Sequence, residues 1–183
     1  MIEFERFLAR VVDGVERGAL TQHEAAHYLG EHIARRLYCS SATLWTLSGP
    51  PGLRVMARVG GFDAPGNRPL IEPLQAIEAG ASAWYDALAG QRVFMSTDTR
   101  HDPRLPRMHA ALALPRRVRS LLQVAIGTNA GLCGFVSCTQ YDTARAWTPR
   151  EVAQLQRMAA ALSLRRPRAD AAGVAAPVPR VST

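Results

Sequence analysis

The chain predicts an α+β sandwich, a mainly antiparallel sheet flanked by helices drawn from both ends of the sequence. Three observations lead there. Apolar residues recur at helical spacing over 2–17, from Thr21 to about Cys39, and over 149–166. Two pairs of β-branched or alternating runs, 41–47 with 53–59 and 120–126 with 132–139, are each separated by Gly-containing turns, which reads as two hairpins. The 183 residues are 48% hydrophobic and 20% charged, enough to build one core and too apolar for global disorder.

Taken in order, Phe4, Phe7, Leu8, Val11 and Val15 mark one face of the first helix, which Gly18 closes. Thr21 and Glu24 form a T-x-x-E capping box for the second, whose buried face is Ala26, Leu29, Ile33 and Leu37. In the strand over 53–59, Leu53, Val55, Ala57 and Val59 share a face. Glycines and prolines over 60–69 predict a loop, 70–79 and 82–89 predict short helices parted near Gly80, and Gly90 ends the second. A short strand over 92–96, a polar loop over 97–103 and a helix over 104–114 follow. Thr148, Pro149 and Glu151 start the last helix, with Val152, Leu155, Ala159 and Leu162 as its stripe and Pro167 as its stop. Residues 1–166 read as one domain and the Ala-, Pro- and Arg-rich stretch 167–183 as a disordered tail.

The net charge of +7 is carried by arginine and no lysine. Five arginines and no acid lie within 104–119, and four arginines face one acid beyond Leu164, leaving the body near neutral. That pattern, with few aromatics among the arginines, favours solvated faces over a nucleic-acid surface. No apolar run reaches membrane-spanning length and no leader pattern opens the chain, which predicts a cytoplasmic protein without a membrane partner. Three cysteines make no disulfide framework. Cys133 and Cys138, an odd number apart on a strand, are expected on opposite faces as structural thiols. His23 and His27 at i, i+4, and Asp98, His101, Asp102 and His109, have ligand chemistry, but turn and surface roles are favoured and no metal is expected.

Several segments together resemble the GAF domain family. They are Ala83-Trp-Tyr-Asp-Ala-Leu88 with Gln91-Arg-Val93, Asp98-Thr-Arg-His-Asp-Pro-Arg104, Arg119-Ser-Leu-Leu-Gln-Val-Ala-Ile126, Gly131-Leu-Cys-Gly-Phe-Val136 and Trp147-Thr-Pro-Arg-Glu-Val152. The resemblance implies a five- to six-stranded sheet, with the terminal helices on one face and short helices and loops roofing a small pocket on the other. It implies a non-catalytic sensor or interaction module in bacterial signalling, with an unidentified small-molecule ligand, no cofactor, and an output protein acting in trans. It also implies dimerisation through Phe4, Leu8, Val11, Val15, Val152, Leu155, Ala159 and Leu162. Pocket candidates are Trp45, Met56, Trp84, Tyr85, Phe94, Asp98, Gln123 and Thr139. The lysine of the family's cyclic-nucleotide motif is missing, which disfavours such ligands. Gln123, Thr139 and Gln140 are neutral where bacterial relatives often carry charge, which favours an uncharged, hydrogen-bonding ligand. Two alternatives are a thiol enzyme related to the free methionine-sulfoxide reductases, working through Cys133 or Cys138, and a nucleic-acid-associated protein using the arginines.

Overall fold

Seven strands and four helices make up the described part of the chain in this computed structural model, which covers residues 2–49, 53–70, 75–79, 83–105, 117–128 and 131–164. They are α1 (Ile2–Glu16), α2 (Gln22–Leu37), β1 (Ser41–Ser48), β2 (Leu53–Asp63), β3 (Arg68–Pro69), β4 (Gln75–Ala79), α3 (Ala83–Gln91), β5 (Val93–Ser96), β6 (Val118–Thr128), β7 (Gly131–Tyr141) and α4 (Pro149–Leu164). All the strand pairings are antiparallel, in the order β3-β2-β1-β7-β6-β5, with β4 beside β2 next to β3. The hairpins β1–β2 and β6–β7 meet through β1 and β7, so the first and last thirds of the sequence form the centre of the sheet.

Both capping boxes form. Thr21 Oγ1 accepts from the Glu24 amide at 3.2 Å while the Glu24 carboxylate takes the Thr21 amide at 2.8 Å, and Thr148 and Glu151 repeat the exchange at 3.3 and 2.8 Å. One face of the sheet carries α1, α2 and α4. There Leu8, Leu29 and Ile33 from the N-terminal helices meet Leu155 and Met158 from α4 over Ala42, Leu122, Val136 and Cys138. His32 ties α2 to α1 by packing against Phe4 and Phe7, with ring centroids 5.3 and 4.8 Å away. The opposite face carries α3 and a second cluster around Trp84 and Phe135.

The structure departs from the sequence expectations in five places. The loop expected over 60–69 is the end of β2 running to Asp63, then a turn and β3. Gly60 and Gly61 serve not as turn residues but as strand residues where α2 and β1 come close: a Cβ at 61 would lie 2.4 Å from the Ala42 carbonyl oxygen. The helix expected over 70–79 gives way at Gln75–Ala79 to β4, because pairing along the free side of β2 outweighs the helical preference of Ala and Glu. The apolar face assigned to β2 is not its more buried one: Met56 and Arg58 are buried while Val55, Ala57 and Val59 are half-buried. A register skip between Leu44 and Trp45 leaves Val59 unpaired opposite them, and beyond this bulge Gly60–Asp63 are buried without alternation. Gly90 does not end α3, which continues to Gln91. A second bulge, where Ile126 pairs with Gly134 and Gly127 with Leu132, leaves Cys133 as the extra residue. Strict alternation therefore fails between Cys133 and Cys138; Cys133 lines a cavity under α1 and α2, on the side that buries Cys138. The helix expected to end before Pro115 and the tail beyond residue 166 lie outside the described residues.

Candidate functional site

The sheet face away from the terminal helices holds the candidate site. Alternation along the central strands sends Ala42, Leu44, Leu122, Val124, Val136 and Cys138 toward those helices. The intervening Thr43, Trp45, Gln123, Phe135 and Ser137 therefore face α3. Trp84, near the start of α3, meets Phe135 edge-on at 5.5 Å and 77°, and Trp45 stacks on the same ring at 5.8 Å and 7°. Met56 and Phe94 complete the packing, and Tyr85 is half-buried against it.

A row of buried polar groups runs beside this aromatic cluster. Trp84 Nε1 donates to Gln123 Oε1 at 2.5 Å, and Gln123 Nε2 donates to Ser137 Oγ at 3.2 Å. Trp45 Nε1 donates to Thr43 Oγ1 at 2.8 Å, and that hydroxyl donates to the Ser137 carbonyl at 3.4 Å. The hydroxyls of Ser41 and Thr139 bond each other at 2.7 Å. Thus the structure joins Trp45, Met56, Trp84, Tyr85, Phe94 and Gln123 in one region, with Thr139 two residues along β7 from Ser137. Sequence reasoning missed Ser41, Thr43 and Ser137. The signal was present as hydroxyls alternating with apolar residues in Ser41-Ala-Thr-Leu. Because Gln123 bridges α3 to β7, Gln123→Leu is expected to strand the indole N–H and cost about 1–3 kcal/mol in chemical denaturation.

Asp98 lies elsewhere. Its carboxylate takes both Arg119 Nη2 at 2.8 Å and Arg119 Nε at 3.2 Å, His101 Nδ1 at 3.0 Å and the Arg100 amide at 3.2 Å. The bonds from Arg119, then from His101, hold it well below the usual carboxylate range. Asp102 is lowered too, chiefly by Arg104, whose Nε and Nη2 lie 2.9 and 2.6 Å from it. Asp98, His101, Asp102 and Arg104 line a polar cleft of about 420 Å³ that does not include Gln123. Its carboxylates are occupied by arginine, and among the described residues no cluster of three or more acidic, histidine or cysteine side chains is placed to hold a metal. His23 contacts the Val59 carbonyl through Nδ1, and the His27 ring packs against Tyr28 and Phe62.

None of the three thiols belongs to the Trp84–Gln123 region. Cys39 and Cys138 are buried in the helix-side cluster. Burial, and then the neighbouring Cys39, pushes the Cys138 thiol well up, away from the nucleophilic thiolate. The stripes expected to pair protomers are spent largely within the chain: Phe4, Leu8, Val11, Leu155 and Ala159 are buried, and Val15, Val152 and Leu162 half-buried, in the core between helices and sheet.

A sheet backed by terminal helices, with aromatic and hydroxyl groups beneath a short helix on its other face, defines an α+β sandwich domain. A family model for the GAF domain matches residues 8–165, and the chain belongs to that family. Solved structures of the same fold include the blue-light-absorbing form of the Thermosynechococcus elongatus PixJ GAF domain, at 19% identity and a TM-score of 0.57, covering 76% of this chain and 80% of that one. Another is the far-red-absorbing dark state of JSC1_58120g3 with bound biliverdin IXa, at 20% identity and a TM-score of 0.60, covering 86% and 96%. A third is the bacteriophytochrome RpBphP3 from R. palustris, at 13% identity and a TM-score of 0.62; this chain covers only 37% of it. No curated protein sequence matches the chain significantly. None of the described helices is long and apolar enough to cross a membrane.

Proposed function

We propose that this chain is a non-catalytic GAF domain of bacterial signal transduction, working in the cytoplasm, that senses a small molecule on the α3 side of its sheet. The observation that carries the reading is the row of Ser41, Thr43, Gln123, Ser137 and Thr139 beside Trp45, Trp84 and Phe135. It supplies neutral donors and acceptors next to apolar surface, as a pocket for an uncharged, hydrogen-bonding ligand requires. With every thiol on the helix side, a ligand there is held without a thioether bond, unlike a covalently attached pigment. Ligand occupancy would bias how the terminal helices pack, both within a homodimer joined on their outer surfaces and toward an output protein in trans.

Two other readings find less support. Thiol catalysis needs an activated thiolate; Cys138 is buried with its thiol form favoured, and the half-buried Cys133 donates its thiol to the Ile126 carbonyl at 3.2 Å. A nucleic-acid surface needs unengaged cations. Among the described residues of the basic segment 104–119, Arg104 is paired with Asp102, Arg117 with Asp142 at 2.6 Å, and Arg119 with Asp98, while Arg107, Arg116 and the basic tail lie outside the described residues. Native mass spectrometry of protein purified from its host tests the proposal. A retained small molecule is expected, with affinity lowered at least about tenfold in Gln123→Asp, the loss of one or more good neutral hydrogen bonds. Equal binding by both proteins would remove Gln123 from the site.

A further inference from the structure

The two faces of the sheet are filled in unequal ways. On the α3 side the large rings of Trp45, Trp84, Phe94 and Phe135 cluster together. The helix side, where α1 leans chiefly on α2 and only lightly on α4, leaves a cavity of about 260 Å³. Leu8, Val11 and Val15 of α1, Ala25 and Leu29 of α2, and Leu162 of α4 line it, short aliphatic side chains that do not reach across. Its polar lining residues, Glu16, Gln22 and Thr46, are solvent-exposed and so sit at the opening.

We infer that this cavity binds an unbranched aliphatic molecule with an uncharged polar end, at a site separate from the Trp84–Gln123 region. An apolar cavity of about 150 Å³ accepts benzene, so this half-open one of about 260 Å³ accommodates a chain of about ten heavy atoms. The lining offers mainly dispersion contacts, and the indole N–H of its buried Trp45, which the other face shares, is already given to Thr43, so the inserted part is hydrocarbon. Glu16 is the one charged side chain among the lining residues, and it disfavours a carboxylate or phosphate end on a chain threaded through the opening. The ligand would wedge α1 and the end of α4 against the sheet, linking occupancy to the positions of both terminal helices. This inference stands independently of the ligand proposed on the other face.

Cys133 supplies the readout, because it lines the cavity and is half-buried while Cys39 and Cys138 are buried. The full chain is labelled with a small uncharged methanethiosulfonate, with and without 1-decanol or decanoate. Decanol is expected to slow labelling of Cys133 about tenfold and to raise the melting temperature, as a ligand binding only the folded state does. Decanoate is expected to protect at least about tenfold less. Ala25→Leu, which adds side-chain volume inside the cavity, is expected to weaken decanol binding about tenfold in calorimetry. Should that variant not fold, the wild-type labelling decides alone. Labelling unaffected by decanol, or equal protection by decanoate, overturns the inference. So does protection that follows protein concentration and not decanol, which would make a second copy of the chain the occupant.

Discussion

Replacing Gly30 with leucine is expected to prevent α2 from docking and to leave the chain without a cooperative thermal transition. A Cβ at this position would sit 2.7 Å from the Ala42 carbonyl oxygen, 2.9 Å from Gly61 Cα and 2.9 Å from the Phe62 amide nitrogen. All three neighbours are backbone atoms of β1 and β2, so none can swing aside. Even Gly30→Ala sets two effects against each other. Alanine gains about 1 kcal/mol of helix propensity over glycine, while overpacking a rigid contact costs about 1–3 kcal/mol, and more where backbone must move. The clash wins, and a net loss of about 2 kcal/mol is expected in urea denaturation. Gly90 is the internal control. It also lies in a helix, but nothing stands within 4 Å of its added Cβ. Gly90→Ala is therefore expected to raise stability by about 0.5–1 kcal/mol. A gain of stability in both variants would show that helix propensity, not close approach, governs these glycines.

That asymmetry explains what could be read in the sequence. Elements whose signals are local appeared where expected: both capping boxes, the helical stripes of α1, α2 and α4, and the two hairpins. Their chemistry lies within a few residues, so a linear string records it. Gly60 and Gly61 defeated the same method because a glycine in a turn and a glycine under a crossing helix look alike in one dimension. β4 was misjudged for a related reason: Gln75–Ala79 becomes a strand through its partner Leu53–Ala57, not through its own composition.

The site was half legible. Gln123 and Trp84 were named separately, but the hydrogen bond joining them spans 39 positions and no pattern announced it. The bulge at Cys133 mattered most: it undid the opposite-face expectation for the two cysteines, because inserting one residue breaks alternation without leaving a sequence mark, whereas the lower burial of Val55 and Ala57 precedes the bulge at Val59. Arg145 was overlooked altogether, being one arginine among many in a basic chain.

Yet Arg145 holds three parts of the molecule at once, which makes its removal the second large expected effect. Its Nη1 and Nη2 donate to the Tyr38 and Leu37 carbonyls at 2.9 and 3.0 Å, capping the C-terminal end of α2. The same guanidinium pairs with Glu151 in the first turn of α4 and lies 4.4 Å from the centroid of the buried Trp147 ring. Arg145→Ala therefore removes a shared donor from two helix-end carbonyls and the cation from the Glu151 carboxylate, which keeps only its bonds from Thr148. A loss of about 3 kcal/mol is expected, seen as a fall in melting temperature of roughly 10 °C. Lysine in its place keeps the charge without the planar fork and should recover no more than about half. The pH dependence follows from Glu151. Burial pushes its carboxyl up, but the Thr148 amide and hydroxyl and the Arg145 guanidinium outweigh burial and hold it below the usual carboxylate range. A carboxyl depressed in the folded state stabilises above its unfolded value of about 4.3 and loses that contribution as pH falls through the folded value. The gap in stability between wild type and Arg145→Ala should thus be widest near neutral pH and narrow below about pH 4. A gap unchanged across that range would place the effect in the α2 carbonyls and the Trp147 ring alone, and would assign the Glu151 pair no part in holding α4 to α2.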